Sequence, residues 1–275
     1  MLLIILKMRE YTKGANTFIE FGSIQEFVEY LKKDVTDNFK NVLSSENVDY
    51  KFAQTHSYEE AKNLLKNGWT QMTERLKTQL KAQTKMVPTM TSKNVLSVQG
   101  YQPVVPNYLM GLPNSMISKK VVPVKQKVVT LNKCVAYSWK IKADTIVNES
   151  VKALRLIQKL EANGYRINLN VLLFVRARNG QGFCIKIRIK NSGEKLNISK
   201  LSFPLVHPSF LRRLYFRFVE VHPTIPECMN VGYGIPLSPV EISSIMSDST
   251  EILLPQFIKK DIECIHSLDD LKNLI

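Results

Sequence analysis

Residues 148–220 constrain the fold of this chain more than any other stretch, because helix, strand and hairpin signals follow one another there without a gap. Apolar side chains at helical spacing over 151–160 predict a helix. It ends at Asn163-Gly164, because glycine readily takes the left-handed conformation that closes a helix. Alternating apolar residues then predict a strand over 166–178. Both faces of this strand are apolar, so we expect it to lie inside a sheet.

A second strand is predicted to return beside the first. Asn179-Gly180 is a strong signal for a two-residue hairpin turn, and the apolar alternation resumes over 181–190. One face of the returning strand carries three basic side chains. This pattern indicates an edge strand whose solvated face is protected by charge from pairing with another chain.

A second helix is predicted after His207-Pro208, because proline fits the first turn of a helix and apolar residues recur at helical spacing over 210–219. The spacing places three arginines on the exposed side of this helix. We interpret His207 as a structural residue that caps the helix. The alternative is that His207 helps to hold a phosphate there.

These elements predict an α/β fold, with a mixed sheet that has an antiparallel edge hairpin and is flanked by helices, plus an N-terminal helical region. We expect three parts in the chain. They are an N-terminal helical region over residues 1–84, a linker and proline-rich arm over 85–120, and an α/β domain over 121–275.

Helices in the N-terminal region are indicated by two capping boxes, Ser23 with Glu26 and Ser57 with Glu60. Trp69 follows the second of these helices. We interpret this tryptophan as an anchor in the core or between domains, because tryptophan is usually buried. The alternative is an aromatic residue that binds a ligand.

Residues 100–116 combine three prolines and two glycines with large apolar side chains. This composition predicts an ordered, extended arm without regular structure, packed on the fold or on a partner. The alternative is a substrate loop, although the segment lacks the glycine pattern of a phosphate cradle.

Residues 1–7 form an apolar run that is too short to span a bilayer and lacks the flanks of a signal peptide. We expect Met8 to be the true initiator; the alternative is that residues 1–7 form a short edge strand. No other run reaches transmembrane length, so we expect a soluble protein with no membrane partner.

The charge balance favours a polyanionic partner, since 38 Lys and Arg stand against 24 Asp and Glu, with a formal charge of +14. We interpret eight basic residues of the central block as nucleic-acid-binding candidates: Arg176, Arg178, Lys186, Arg188, Lys190, Arg212, Arg213 and Arg217. If their surfaces adjoin, these side chains face one phosphate backbone. Because no row of aromatic residues accompanies them, we expect contact with the backbone without reading of sequence.

The residue types that form metal and catalytic sites are dispersed in this sequence. The cysteines are Cys134, Cys184, Cys228 and Cys264, and the histidines are His56, His207, His222 and His266. Their isolation favours buried thiols in a reduced compartment and argues against a zinc site. No nucleophile elbow, paired-carboxylate cluster, Walker loop or zinc-deaminase signature occurs. We therefore predict no catalytic residue, no metal site and no cofactor.

The order of strand, helix, strand, antiparallel partner and helix resembles the opening of a von Willebrand factor A-like domain. That family holds magnesium with an Asp-x-Ser-x-Ser motif after its first strand. Here the corresponding residues 136–140 read Ala-Tyr-Ser-Trp-Lys. The resemblance therefore implies an architecture without the metal site of the family.

A set of local motifs resembles an uncharacterised family of proteins that tailed bacteriophages and prophages encode. The motifs are Ser57-Tyr-Glu-Glu-Ala61 with Gly68-Trp69, Val105-Pro106, Gly111-Leu-Pro113, Glu161-Ala-Asn-Gly-Tyr-Arg166 and His207-Pro-Ser-Phe-Leu-Arg-Arg213. This resemblance implies a phage or prophage origin. It supplies no activity and no catalytic residue.

The leading functional hypothesis is an accessory protein that binds nucleic acid without sequence preference or associates with a virion, and that is not an enzyme. Its expected partners are DNA or another polyanion and a phage or host protein, in the cytoplasm of the host cell or in the virion. A protein–protein adaptor with a metal-free von Willebrand A-like domain is the first alternative. A metal-dependent nuclease built from dispersed carboxylates is the second.

Overall fold

The computed structural model describes residues 8–40, 43–80, 90–123, 127–138, 141–225, 229, 232–246 and 251–254. The interpretations of residues 1–7, Cys228, Cys264 and His266 lie outside the described residues. The strands are β1 (Arg9–Lys13), β2 (Asn16–Phe21), β3 (Met90–Ser97), β4 (Gln102–Pro103), β5 (Met116–Pro123), β6 (Val128–Cys134), β7 (Arg166–Arg176), β8 (Gly182–Lys190), β9 (Ile235–Pro236) and β10 (Ile252–Leu254).

Helices lie between these strands. They are α1 (Ile24–Tyr30), α2 (Ser44–Asn47), α3 (Tyr50–Ala53), α4 (Tyr58–Asn67), α5 (Thr70–Leu80), α6 (Val105–Leu109), α7 (Ala143–Ala162), α8 (Ile198–Val206), α9 (Phe216–Val221) and α10 (Pro239–Ile245). A 3-10 turn over Asp37–Phe39 precedes α2, and a π-helix over Phe210–Tyr215 runs directly into α9. No helix among the described residues has the length and apolar character needed to cross a bilayer.

The main sheet is mixed, which confirms the predicted fold class. In the part of the chain that the structure describes, its strands follow the order β1-β2-β8-β7-β6-β10, and β9 adds a short pairing to β7. The β7–β8 hairpin is antiparallel, whereas β6 pairs with β7 and with β10 in parallel. A smaller sheet in the order β3-β5-β4 is separate from the main one.

The strand predicted over 166–178 is confirmed as an inner strand, because β7 lies between β6 and β8. The prediction that residues 181–190 form an edge strand is wrong. Strand β2 pairs in parallel with the outer side of β8, and Glu20 stands opposite Lys186 in the register. The basic side chains of β8 therefore have partners within the fold instead of being solvated at an edge of the sheet.

The edge of the sheet on this side is β1, whose five residues are all exposed. The hairpin of β1 and β2 was not predicted, because Phe18, Ile19 and Phe21 of β2 are all buried and so break the alternation expected of a one-faced strand. The helices α1 to α5 confirm the helical N-terminal region. The division of the chain at residues 84 and 120 stays a prediction.

The hydrophobic core lies between the sheet and the helices on one of its faces. Phe21 of β2 packs its ring against Phe27 of α1 and Phe218 of α9, at centroid distances of 5.3 and 6.0 Å. Side chains alternate across a strand, so Glu20 and Lys186 point to the opposite face. Helix α10 lies by that second face, where Glu241 forms an ion pair with Arg176.

Arg213 of the π-helix joins the N-terminal helices to this core. Its side chain is fully buried, and its guanidinium donates hydrogen bonds to the carbonyl groups of Ser45, Glu46, Val48 and Thr55 at 2.8 to 3.1 Å. Its Nε atom donates to the Thr55 hydroxyl at 2.7 Å. A guanidinium has five N–H donors, and these contacts engage all three of its nitrogen atoms.

The predicted exposure of the arginines on this helix is wrong. Arg212 is also buried; it donates to the Phe52 carbonyl at 2.6 Å, and its guanidinium lies over the Phe52 ring. Arg217 is half-buried, with Nε 3.5 Å from the Leu31 carbonyl oxygen. The side that the apolar spacing left polar is covered by the N-terminal segment, because carbonyl groups in or beside α1, α2 and α3 accept hydrogen bonds from the arginines.

We expect Arg213→Leu to lower the free energy of unfolding by about 3–5 kcal/mol, since several buried carbonyl groups lose their donor at once. Urea denaturation measures this difference. Arg178→Leu is the matched control, because Arg178 is exposed, and it should change stability by less than about 0.5 kcal/mol. Equal effects in the two variants would contradict the anchoring role.

His207 and Trp69 meet where the α4–α5 turn packs on α8. The His207 Nδ1 atom accepts a hydrogen bond from the Ser209 backbone N–H at 3.1 Å, which bears out the interpretation of His207 as a cap. Its ring lies 4.5 Å from the Trp69 ring and 5.1 Å from the Phe203 ring. Trp69 is partly buried against the core cluster, as expected of an anchor.

Buried histidines should make the stability depend on pH. Burial lowers the pKa of His207 to about 4, and burial together with Lys33 lowers the pKa of His222 to about 4. In the unfolded chain a histidine has a pKa of about 6.5, so between these values the unfolded state binds more protons. We therefore expect the free energy of unfolding to fall as the pH decreases from about 6.5 to about 4. A His207→Gln, His222→Gln variant should have a shallower slope in this window, whereas an unchanged slope would refute the assignment.

Candidate nucleic-acid interface

The eight basic residues proposed from the sequence do not form one surface. Three of them, Arg212, Arg213 and Arg217, lie under the N-terminal helices as described above. Arg176 and Arg178 are exposed at the end of the β7–β8 hairpin. The remaining three, Lys186, Arg188 and Lys190, lie along β8.

Lys190 is an internal cation and not a surface one. Its Nζ atom lies 2.7 Å from a carboxylate oxygen of Glu161 and donates to the carbonyl groups of Ile167 and Asn191 at 3.2 Å. Only 2% of the residue is exposed. These contacts satisfy the ammonium group within the fold, so Lys190 has no surface to offer a phosphate.

Lys186 is half-buried on the sheet face opposite to the core helices, between two carboxylates. Its Nζ atom lies 2.7 and 2.8 Å from the two carboxylate oxygens of Glu251, and 3.4 Å from Glu20. Partial burial raises the pKa of Glu251, but the hydrogen bonds from Lys186 and Asn132 outweigh it and hold that pKa below its usual value. Two negative charges beside one positive charge make this part of the face unattractive to phosphate.

A chain of amides continues from Glu251 across the sheet. Asn132 donates to Glu251 at 2.8 Å, Asn170 donates to Asn132 at 2.7 Å, and the Arg188 Nε atom donates to Asn170. We call the whole set the Lys186 network; its members are Glu20, Asn132, Asn170, Lys186, Arg188 and Glu251. Such a network fixes the relative positions of four strands, since each buried polar group in it needs its neighbour.

A pocket of about 450 Å³ adjoins the Lys186 network. Phe18, Leu172 and Cys184 form its apolar floor, while Ile245 and Met246 form a wall from the end of α10. Burial raises the pKa of the Cys184 thiol well above its usual value, so this cysteine stays protonated and unreactive. Cys134 is likewise buried and free, as the isolated cysteines predicted. No group of three His, Cys, Asp or Glu among the described residues is placed to hold a metal ion.

Another exposed basic region lies outside the eight candidates. We call residues 90–123 the β-arm and its paired strands β3 and β5 the stem. The two strands are antiparallel over eight residue pairs, and α6 sits at the far end. The expectation that residues 100–116 lack regular structure is wrong, because β4 and α6 lie within them. No described side chain of the β-arm is buried, and none belongs to the core cluster.

The stem carries exposed lysines on both of its faces. Lys93 stands directly opposite Lys120 in the register, and the neighbouring pair is Asn94 with Lys119. Because adjacent pairs in a ribbon point to opposite faces, Lys119 projects away from the other two lysines. Its Nζ atom lies 5.5 Å from the centre of the Tyr101 ring. No Asp or Glu occurs anywhere from residue 75 to residue 143.

The absence of acidic residues over this long segment was the signal that could have located the basic region from the sequence. The central block is also rich in basic residues, but there arginine and lysine alternate with apolar residues. In that block the alternation reports burial next to a carboxylate or a carbonyl group, as Lys186 and Arg213 illustrate.

Replacing Lys186 by methionine should lower the free energy of unfolding by about 1–3 kcal/mol, because two half-buried carboxylates lose their counter-charge. Arg176→Met is the matched control. Its ion pair with Glu241 is exposed, so its loss should cost about 1 kcal/mol or less. Thermal and urea denaturation at neutral pH compare the two variants, and a larger loss in Arg176→Met would contradict this ranking.

Comparison with known proteins gives a family and no activity. No curated protein and no solved structure matches the chain. A family model described as a domain of unknown function (DUF7192) matches residues 8–267. The match includes the main sheet, the N-terminal helices and the β-arm, and the chain therefore belongs to this family.

Proposed function

We propose that this protein binds nucleic acid without sequence preference, as a non-enzymatic accessory protein, and that the β-arm is its main contact surface. The observation that carries the proposal is the pair of Lys93 and Lys120, which face each other across a stem that has no acidic residue. Like charges directly opposite each other destabilise a ribbon. A polyanion bound between or beside them removes this repulsion, so the pair fits a phosphate ligand better than it fits the free protein.

Long-range electrostatics favour the same partner. The chain carries a formal charge of +14. The buried cations, such as Arg213 and Lys190, already have acceptors within the fold. The excess therefore lies with exposed lysines, including those of the stem, and with exposed Arg178 beside the hairpin turn. Such a field accelerates association with a phosphate backbone and makes the affinity depend strongly on salt.

The biological setting in this proposal comes from the sequence motifs. Their resemblance to proteins of tailed bacteriophages and prophages supports a phage or prophage origin, with the host cytoplasm or the virion as the place of action. Nucleic acid is abundant in either setting, so a protein that contacts phosphate backbones without reading bases has a ligand there.

A binding titration with a DNA duplex at two salt concentrations tests the proposal. In the arm variant, Lys93, Lys119 and Lys120 are all changed to Ser. Its log–log slope of affinity against salt should be smaller in magnitude by about 2–3, since each neutralised phosphate contributes about 0.9. The matched control changes Lys66, Lys159 and Lys195 to Ser; these lysines are exposed on the body of the fold, and the net charge falls by the same three units.

Absence of binding by the wild type at low salt would overturn the proposal. So would an arm variant that behaves like the control variant, because charge alone and not the β-arm would then account for binding. Folding is checked by the thermal midpoint, which should be unchanged or higher in the arm variant once the Lys93–Lys120 repulsion is removed.

A protein–protein adaptor is the second candidate, and the topology favours it. Strands β6 and β7 are parallel and joined by α7, β8 lies antiparallel beside β7, and β10 lies parallel on the other side of β6. This order supports an adaptor of the von Willebrand A type without a metal site. A protein that co-purifies stoichiometrically from the native host, with no nucleic acid present, is the observation that would favour it.

A further inference from the structure

We infer that the end of the β-arm is an apolar wedge that inserts at a base step of duplex DNA and bends it, while the stem lysines hold the phosphates on either side. This inference rests on the proposed function and adds the form of the nucleic acid and the mode of contact. It concerns three consecutive side chains, Tyr108, Leu109 and Met110, which we call the tip.

The tip is exposed to an unusual degree for its chemistry. Tyr108, Leu109 and Met110 are 71%, 79% and 65% exposed, and none of them contacts the core cluster. Single apolar residues on a surface are common, but three in succession at the end of a projecting ribbon mark an interaction site.

The backbone that carries the tip is ordered by its own hydrogen bonds. The Met110 N–H donates to the Pro106 carbonyl at 3.1 Å, and the Leu112 N–H donates to the Asn107 carbonyl at 3.0 Å. The Asn107 side chain donates to the Asn114 carbonyl at 3.3 Å and closes the loop. Gly111 follows the tip with φ of +70°, a conformation that favours glycine. The tip is thus presented on a preformed knob, so little order has to be gained when it binds.

The stem lysines indicate which kind of partner fits the tip. A groove of a duplex has a phosphate strand along each wall, so a ribbon whose faces are turned to the walls meets phosphates on both faces. Lys93 and Lys120 project from one face of the stem and Lys119 from the other. A flat anionic membrane would meet the cations of one face only, and an apolar cleft in a protein partner would leave all three lysines without counter-charge. The observations therefore favour a duplex.

The dimensions of the stem agree with this arrangement. Eight residues per strand give a ribbon about 24 Å long, and the strands are separated by about 4.8 Å. Proteins insert apolar wedges from the minor groove, which is about 6 Å wide in B-DNA and opens when the duplex is kinked toward the major groove. Leucine and methionine are among the side chains that proteins insert between base steps, where they unstack the bases and kink the duplex. A tyrosine beside them can stack on an exposed base.

The test uses the full chain and a duplex of about 30 base pairs that carries a fluorescence donor and acceptor at its ends. Wild-type protein should raise the transfer efficiency by shortening the end-to-end distance. It should also bind a duplex with a central two-base mismatch at least about tenfold more tightly than the intact duplex, because the mismatch is already unstacked.

The wedge variant is Leu109→Ser with Met110→Ser. It should retain binding to the intact duplex to within about tenfold, with its salt slope unchanged, but lose both the bend and the preference for the mismatch. Val121→Ser is the matched control, because Val121 is 62% exposed on the stem away from the tip, and it should behave like the wild type. Tyr108→Ser provides a second, independent variant with an expected partial loss of the mismatch preference.

The outcomes separate this inference from the function beneath it. If wild type and the wedge variant bind with the same salt slope and neither bends the duplex, the wedge is refuted and backbone binding stands. If the wild type does not bind the duplex at low salt, both fail. If the wedge variant keeps the bend but loses binding to vesicles of phosphatidylserine and phosphatidylcholine, the tip is a membrane contact and the wedge is refuted.

Discussion

The buried guanidinium of Arg213 is the interaction on which the arrangement of the helices depends. Its hydrogen bonds go to carbonyl groups at the ends of α2 and α3 and in the segments beside them, and to the Thr55 hydroxyl. Two turns later on the same run of helix, Glu220 is also fully buried, and it accepts hydrogen bonds from the Ser45 N–H and the Tyr233 hydroxyl. One positive and one negative side chain of the central helix therefore hold the same short N-terminal segment. Burial of these charges is tolerable only because many backbone groups converge on them.

This dependence explains why the sequence predicted the central elements well and their surroundings poorly. The alternation along β7 and the Asn179-Gly180 turn are local signals, and the structure has the strand pair that they predict. The position of β8 inside the sheet depends on its pairing with β2, which lies far away in sequence. This pairing places Glu20 opposite Lys186. A lysine that will meet such a carboxylate has the same local pattern as a lysine that will face water.

The candidate site shows the same contrast between local signals and distant contacts. Of the eight basic residues chosen from the sequence, Arg176 and Arg178 are exposed, and the others are half-buried or buried by partners that lie far away in sequence. The β-arm has the opposite character, since its lysines lie in a segment without any Asp or Glu, and they are exposed. A long segment free of Asp and Glu is thus a better guide to an accessible basic surface than a row of arginines in an amphipathic pattern. Propensity and spacing identify which residues share an element, but only tertiary contacts decide whether a charge remains available to a ligand.

The parallel pairing of β2 with β8 has a consequence for how the chain is made. Strand β2 ends at Phe21 and β8 begins at Gly182, so the partner of β2 emerges from the ribosome ~160 residues later. At 5–20 residues per second, this delay is on the order of 10 s. During that time the N-terminal hairpin has an unpaired strand edge that includes Phe18, Ile19 and Phe21, which is a template for association with other chains. Closing the sheet therefore waits for most of the polypeptide, and a nascent chain of this protein needs protection by a chaperone or by rapid compaction of its N-terminal helices until β8 arrives.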